Sequence, residues 1–574
     1  MMKYILKIYV LGLLFTLHAC SDMDLAPLSE GSSETWYSTE EELNMAVNEF
    51  YILGYWNQPL ENSEQWTDNF TYRNTHRVDI LYGTLNGGQW ETFRLWEQSY
   101  KLIARANALL ERIDDAAAGN VGQSRIDQYK AEAYFARACK YADLICYFGD
   151  VVYYDKSPSL DEAFAKSRTA KDEVIPLVYE DFDRAAAHLS ESYGPNAVHF
   201  TKGAAYAMKA RFALYMGDWR VAAEAAKNCM DLGMYDLHPD FGDLFLASTK
   251  ANTQEKIFSF PRSISNGVVL DQWIVNNELT RNAGGYGSAA PSWDLLAAFL
   301  CTDGLPIDES PLFDPHNPFA NRDPRCAKTI VEFGTVHVGF EYNTHPEVTQ
   351  VMNYNTGTMQ ANQDNRAINQ YASYNGLNWK KGINELWTQN GRTVERDYVI
   401  MRYADVLLMY AEAKIELNEI DNSVLDAMNR VRARGYKVNP SETDKYPEIT
   451  SLDQTALRRT VRLERRVELA NEGLRYMDLI RWRLATKALN TNNYGVLYPA
   501  SELIDKVASK GHWFWAYTPQ IDEDGIADFS QMENAGLISV LSQRVWDERQ
   551  YLWPLPTAEL EISPNLITDN NPGY

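Results

Sequence analysis

The sequence is short of basic residues, of cysteine and of long apolar runs, and each shortage removes a class of function. Lys and Arg number 54 against 78 Asp and Glu, a formal net charge of −24. The longest basic run sits inside an amphipathic helical pattern, so nothing opposes the repulsion of a polyanion and no nucleic-acid partner is expected. After residue 20 no stretch approaches the roughly 18 consecutive apolar residues of a membrane-crossing helix. Of six cysteines, setting Cys20 aside leaves Cys139, Cys146, Cys229, Cys301 and Cys326, an odd number that rules out a complete disulfide framework. Cys139 and Cys146 share a predicted helix at a separation of roughly 10 Å, too far for a bridge. No pair has zinc-type spacing, and buried free thiols are expected. No His-Glu-x-x-His, Gly-x-Ser-x-Gly or phosphate-loop motif occurs, so neither metal nor cofactor is expected, and the chain reads as a non-enzyme.

What is plentiful is aromatic: 35 Tyr, 21 Phe and 15 Trp in 574 residues. The N-terminus carries an address. Lys3 and Lys7 precede an apolar run from Ile8 to Leu17 that is too short to span a bilayer, the pattern of a cleaved export signal. The run ends Leu17-His18-Ala19-Cys20, which resembles a lipobox, where the cysteine is acylated with palmitate-type chains and becomes the new N-terminus. His18 is atypical at its place. Stable attachment needs two or more chains. Residues 1–19 are therefore read as a lipoprotein signal peptide and 20–35 as the acylated cysteine and its tether.

From 36 to 250 the apolar residues recur with helical spacing. Two Gly-Asp turns, Gly149-Asp150 and Gly217-Asp218, lie at twice the ~34-residue tetratricopeptide period, and the second leads into the small-residue run Val221–Ala226. Paired helices are expected here. Between 251 and 396 the pattern gives way to Gly, Asn, Pro and aromatic residues, with short strand-like runs such as Lys328–Phe333. An irregular stretch this long and this aromatic points to a ligand site. Helical periodicity returns over 397–419, 423–435 and 452–484, and the tail from Asp547 reads as extended. The fold class is mainly α: a tetratricopeptide-like helical-repeat scaffold with a long irregular, loop-rich insertion carrying short strands.

Arg402–Ala413, Met428–Arg434, Glu464–Ala470, Gly473–Trp482 and the closing Trp553-Pro554-Leu555-Pro556 with Asn571-Pro572-Gly573-Tyr574 resemble the SusD/RagB family in order and spacing; Arg94–Tyr100 with Ala106-Asn107 resembles its third helix. Ser21-Asp22-Met23-Asp24 is similar to the acidic stretch that directs lipoproteins of Bacteroidetes to the cell surface. The resemblance implies a lipid-anchored protein exposed on the outer membrane. Such a protein captures glycan without catalysis and passes it to a SusC-like TonB-dependent transporter. A peptide or another non-sugar nutrient on the same scaffold is the alternative, and a glycoside hydrolase with two carboxylates hidden among the acids is a third. The C-terminal helices 397–574 are scaffold in this reading. The charges from Arg458 to Glu468 are expected to pair at i,i+3 and i,i+4 along one helix.

A sugar presents C–H groups on its ring faces and hydroxyls at its rim, so its site needs aromatic platforms with polar flanks. The family usually forms its site from loops before the third helix and from the central irregular region. The first place holds Trp66, Asp68, Asn69, Tyr72, Arg73, Arg77, Asp79 and Trp90, with Gly87-Gly88 allowing close approach; the second holds Trp273, Tyr286 and Trp293. Trp90 is the leading candidate. Trp96, Trp219, Trp482 and Trp553 lie in helical or closing motifs and are assigned to the core. Asp522-Glu523-Asp524-Gly525 reads either as a calcium loop or as a solvated acidic turn.

Overall fold

The computed structural model describes residues 36–73, 79–194, 199–250 and 253–574. The signal peptide, Cys20, the tether and Arg77 lie outside the described residues. The fold is mainly helical with short strands, and its backbone is a run of antiparallel helices: α1 (Trp90–Ala116), α2 (Gln123–Phe148), α3 (Lys171–His188), α4 (Lys202–Met216) and α5 (Trp219–Asp231). Each packs on the next. Thr201 caps α4 by accepting from the Ala204 N–H, and Gly217 ends it at φ +79°, a left-handed conformation that a β-carbon disfavours. Ala204, Ala205, Ala207, Ala210 and Ala213 of α4 and Ala222, Ala223, Ala225 and Ala226 of α5 are buried, so the helix axes approach closely, as their small side chains allow. The two Gly-Asp turns are unequal. Gly217-Asp218 joins α4 directly to α5, whereas Gly149-Asp150 leads into an extended segment in which Val151 bridges Thr169. All five cysteines after Cys20 are free.

The chain leaves the helices through β2 (Lys256–Phe260), which pairs with β8 (Tyr398–Arg402), and returns to them through α7 (Tyr403–Glu416), α8 (Asn422–Gly435), α9 (Gln454–Glu468) and α10 (Arg475–Arg481). The expected helix over 397–419 thus begins at Tyr403, because the apolar run Val399–Met401 serves a strand. The expected 452–484 helix breaks between Glu468 and Arg475, where Asn471 and Gly473 turn with positive φ. Between β2 and β8 lies an irregular lobe with an apolar cluster of its own, including Trp293, Phe299, Trp379, Phe514 and Trp515. The Lys328–Phe333 run is not a strand. A short helix ends at Thr329, and only Ile330 bridges, to Trp379. The lobe's sheet follows it: β4 (Thr335–His337), β5 (Phe340–Tyr342), β6 (Gln350–Asn353) and β7 (Thr358–Ala361), antiparallel in that order.

Scaffold and lobe meet across a seam of buried charge. Glu468 on α9 accepts from Arg402 (2.7 Å), Arg325 (3.1 Å) and Arg434; Glu464 accepts from Arg432 (2.6 Å) and Arg325 (3.1 Å). Arg465 reaches Asp405 (2.7 Å) and Asp478 (3.0 Å), and Arg458 reaches Glu416. These charges are scaffold, as expected, but they pair between elements instead of along their own helix. The reason is that α9 is enclosed, so its ions face partners on neighbouring segments. Burial opposes ionisation of Glu468, yet three guanidiniums outweigh it and hold its carboxyl well below the usual range.

The C-terminal segment closes the helical core. Trp553 packs against Trp66, Tyr147, Phe148 and Tyr476, and its indole N–H donates to the Tyr476 hydroxyl at 2.9 Å. The Asn571 amide donates to the carbonyls of Phe148 (2.8 Å) and Trp553 (2.7 Å). The tail is not wholly extended, for Thr557–Ile562 is a short helix.

Candidate functional site

Strand β1 (Phe70–Tyr72) pairs antiparallel with β3 (Ala289–Pro291), Tyr72 opposite Ala289, and the Arg73 N–H continues the ladder to the Ser288 carbonyl at 2.7 Å. This short pairing brings the loop before α1 onto the central lobe, so the Tyr72-Arg73 segment of the first expected location lies beside the second. Beside it, α6 (Gln272–Glu278) is capped by the Asp271 carboxylate, which accepts from the Trp273 N–H at 2.7 Å. The helix buries Ile274, Val275, Asn277 and Glu278 and turns Trp273 outward. Tyr72 stacks on Trp273, ring centroids 5.9 Å apart and planes 16° from parallel, and its hydroxyl donates to the Asn277 side chain at 3.3 Å. Tyr286 is fixed through its N–H to the Asn276 carbonyl at 2.6 Å.

A third segment joins these two. Arg73 Nη1 donates to the carbonyls of Tyr286 (2.6 Å) and Tyr371, while the guanidiniums of Arg73 and Arg281 lie 5.8 and 5.9 Å from the centroid of the Tyr371 ring. Trp273, Tyr286 and Tyr371 are 40, 49 and 52 % exposed, unusual for rings of this size and well suited to cover apolar faces of a ligand. Arginine and asparagine side chains flank them with donors and acceptors. Beneath the platform, Asp364 accepts the N–H groups of Arg281 (2.7 Å) and Asn282 (3.2 Å), and burial pushes its pKa up to about 6. Glu278 is buried at the end of α6, one carboxylate oxygen without a hydrogen-bond partner among the described residues, and burial raises its pKa to about 7.

Four expected ligand contacts are core residues. Trp66 is fully buried, edge-on to Tyr476 and Trp553 at centroid distances of 5.4 and 5.3 Å. Asp68 is held by Arg466 (2.8 Å) and Arg475 (2.9 Å); burial works against its charge, but the two guanidiniums prevail and depress its pKa. Asn69 donates to Glu64 and accepts from Arg466, both at 2.9 Å. Trp293 donates its indole N–H to the Asn375 carbonyl at 2.8 Å and packs on Phe514, Trp515 and Phe529. All four side chains are buried, Trp66 in the helical core and Trp293 in the core of the lobe, so a ligand on the surface cannot reach them. Asp79 accepts from the Thr84 hydroxyl at 2.6 Å within its own turn. Trp90 is the first residue of α1 and 53 % exposed, beside the closing segment. Gly87 is close-packed as its sequence suggests, but the approaching group is protein, since a β-carbon there would lie 2.3 Å from the Leu555 carbonyl. The acidic loop at 522–524 receives the Lys487 ammonium, 2.9 Å from Asp522 and 2.6 Å from Asp524.

Tyr371 and Arg281 were not among the expected site residues. Tyr371 sits in Gln370-Tyr371-Ala372-Ser373-Tyr374, an aromatic pair in polar loop sequence. That signal is present in the chain, but it is weaker than a tryptophan.

A family model described as "SusD family" matches residues 251–574, and one described as "Starch-binding associating with outer membrane" matches residues 24–214. The chain is 26 % identical over 608 aligned residues to SusD-like protein P2 of Formosa agariphila, covering all of both chains. It is 24 % identical over 562 residues to a SusD-like protein of Bacteroides ovatus, covering 89 % of each. Among solved structures it is similar to a SusD-like carbohydrate-binding protein of Bacteroides fragilis (TM-score 0.75, 26 % identity, 93 % of this chain and all of that one). Its fold is also shared with a laminarin-binding SusD-like protein (TM-score 0.63, 18 % identity, 94 % of this chain and all of that one). Among the described residues no helix is long and apolar enough to cross a membrane.

Proposed function

The chain belongs to the SusD family, and from that premise we propose that it is a surface lipoprotein, anchored through Cys20, that captures glycan for a SusC-like TonB-dependent transporter. The observation that carries this reading is that three exposed rings gather around the Tyr72-Arg73 segment, Trp273 stacked on Tyr72 and Tyr286 and Tyr371 tied through their carbonyls to Arg73. Rings held in place before ligand arrives lose little freedom on binding. Catalysis is not part of the proposal. The relatives named above support sugar over peptide as the cargo.

Trp90 is proposed as a separate contact for long chains. Trp273→Ala is expected to lower affinity for a short oligosaccharide roughly tenfold, in line with one lost stacking contact of about 1.5 kcal/mol, while lowering stability by about 0.5–1.5 kcal/mol through loss of its stack on Tyr72. Trp90→Ala should weaken only long polymers. Calorimetry on a polysaccharide and peptide panel, with reducing-end release followed in the same samples, tests the reading. Binding confined to peptides, or release of new reducing ends, would replace it. For the transporter, recovery of the lipidated protein from its own membrane as a lone monomer would remove that part.

A further inference from the structure

Four arginines surround the platform, and among the described residues none of them forms a salt bridge, although Arg281 lies within electrostatic reach of the buried Asp364. Arg73 spends Nη1 on the two carbonyls of Tyr286 and Tyr371, and its Nε is buried without a partner among the described residues. Arg281 makes one long contact, 3.5 Å to the Tyr286 carbonyl, and is otherwise open on the Tyr371 ring. Arg366 is wedged between Tyr374 and Tyr498, 3.4 and 4.4 Å from their centroids, and donates to the Gln370 carbonyl at 2.5 Å; its Nε too is buried and unpartnered. Arg392 donates to the Asn276 side chain at 3.0 Å. The groups these arginines meet are backbone carbonyls, one side-chain amide and tyrosine side chains. The arginines of the scaffold seam are treated differently: Arg402, Arg434, Arg465 and Arg475 are all matched to carboxylates.

The acids near the platform do not balance the cluster. Asp271 is turned into the cap of α6. Asp364 and Glu278 are buried beneath it, one committed to backbone N–H groups and both favouring the neutral form more than a free carboxyl does. In a chain with 78 acidic residues, a group of arginines left without carboxylate partners around exposed rings is a field prepared for a negative group from outside. Arg281 is the one with donors free to meet it. We propose that the platform selects an acidic glycan, one whose sugar rings lie on Trp273, Tyr286 and Tyr371 while a carboxylate or sulfate oxyanion faces Arg281 in the field of Arg73 and Arg366. This rests on the glycan reading above and narrows it.

The test uses the purified full chain with four probes: de-esterified polygalacturonate, its methyl-esterified form, chondroitin sulfate, and neutral laminarin. A charge-assisted contact predicts that one acidic polymer binds and that Arg281→Gln weakens it roughly tenfold. Arg281→Lys should restore part of the loss, and raising salt from roughly 0.05 to 0.5 M should weaken binding several-fold. Preference for de-esterified polygalacturonate over its ester assigns a carboxylate; binding of chondroitin sulfate with neither pectin form assigns a sulfate. Arg73→Gln should act in the same direction, but Arg73 also ties two loops, so Arg281→Gln and the ester comparison decide the matter if that variant does not fold. Binding of laminarin alone, unaffected by salt or by Arg281→Gln, overturns the acidic selection and leaves the glycan reading standing. Binding of none of the four probes, together with capture of peptide on the panel above, overturns both.

Discussion

The helical scaffold and the irregular lobe solve the same problem, satisfying buried backbone groups, by different means. In α2, α4 and α5 each helix pairs its own N–H and C=O groups, and side chains need only be small or apolar on the inner face. In the lobe the ladder is missing over long stretches, and asparagine replaces it. The Asn365 amide donates to the carbonyls of His345 (3.0 Å), Pro346 (3.1 Å) and Val348 (2.9 Å); Asn362 donates to Asn343 and Val348; Asn375 reaches Pro291 and Asn378 reaches Glu278, both at 2.7 Å. A helix can be repaired locally, whereas each of these amides ties its own segment to another stretch of loop or to the end of a helix.

That contrast can be broken most severely where the two regions join. Glu468→Ala leaves Arg325, Arg402 and Arg434 without their shared carboxylate, and urea unfolding is expected to show a loss of about 3–5 kcal/mol. Equal stability of the variant would show that the seam is not what binds lobe to scaffold. Next in size, Asn365→Ala strips three carbonyls of their donor and should cost about 1–3 kcal/mol. Hydrogen exchange should rise in residues 343–350 and not in α4 or α5; uniform exchange across both regions would contradict the division of labour. The smallest effect separates the regions by pH. In the scaffold, burial disfavours ionised Asp405 but Arg465 and Arg211 outweigh it and lower its pKa to about 2, so its contribution is present at neutral pH and is lost only as pH falls toward 2. In the lobe Glu278 has a folded pKa raised to about 7, so the folded state binds the extra proton. Its contribution is fully present below the unfolded value of about 4.5 and is lost as pH rises through 7. Glu278→Gln, which stays neutral, should therefore gain stability over the parent at pH 8 and little at pH 4.5. Thermal melts across that range that leave the difference constant would remove Glu278 as the cause.

The same contrast explains what could be read in the sequence. Helices announce themselves through spacing, and the mainly α fold with short strands was legible, as were the tetratricopeptide-like pairing of α4 with α5 and the family. Strand β8 was hidden because Val399–Met401 continues into the apolar run of α7, and periodicity alone does not divide them. At the site, Tyr72, Trp273 and Tyr286 were legible as aromatics in irregular sequence. Trp66 and Trp293 have the same local signature and are core, one in the helical scaffold and one in the lobe, because burial of an aperiodic segment is decided by what packs over it from elsewhere in the chain. Tyr371 and Arg281 acquire meaning only once β1 pairs with β3, a contact between segments more than 200 residues apart in the chain.

The amide of Asn571, four residues from the end, completes the surroundings of Phe148 and Trp553, and Trp553 in turn fills the space beside Trp66 and Tyr147. Ribosomes deliver the N-terminal helices first, yet Asn571, which completes the surroundings of Phe148, lies 423 positions after it. A growing chain must therefore keep an unfinished apolar face over that interval, longer than a protein whose domains finish one at a time.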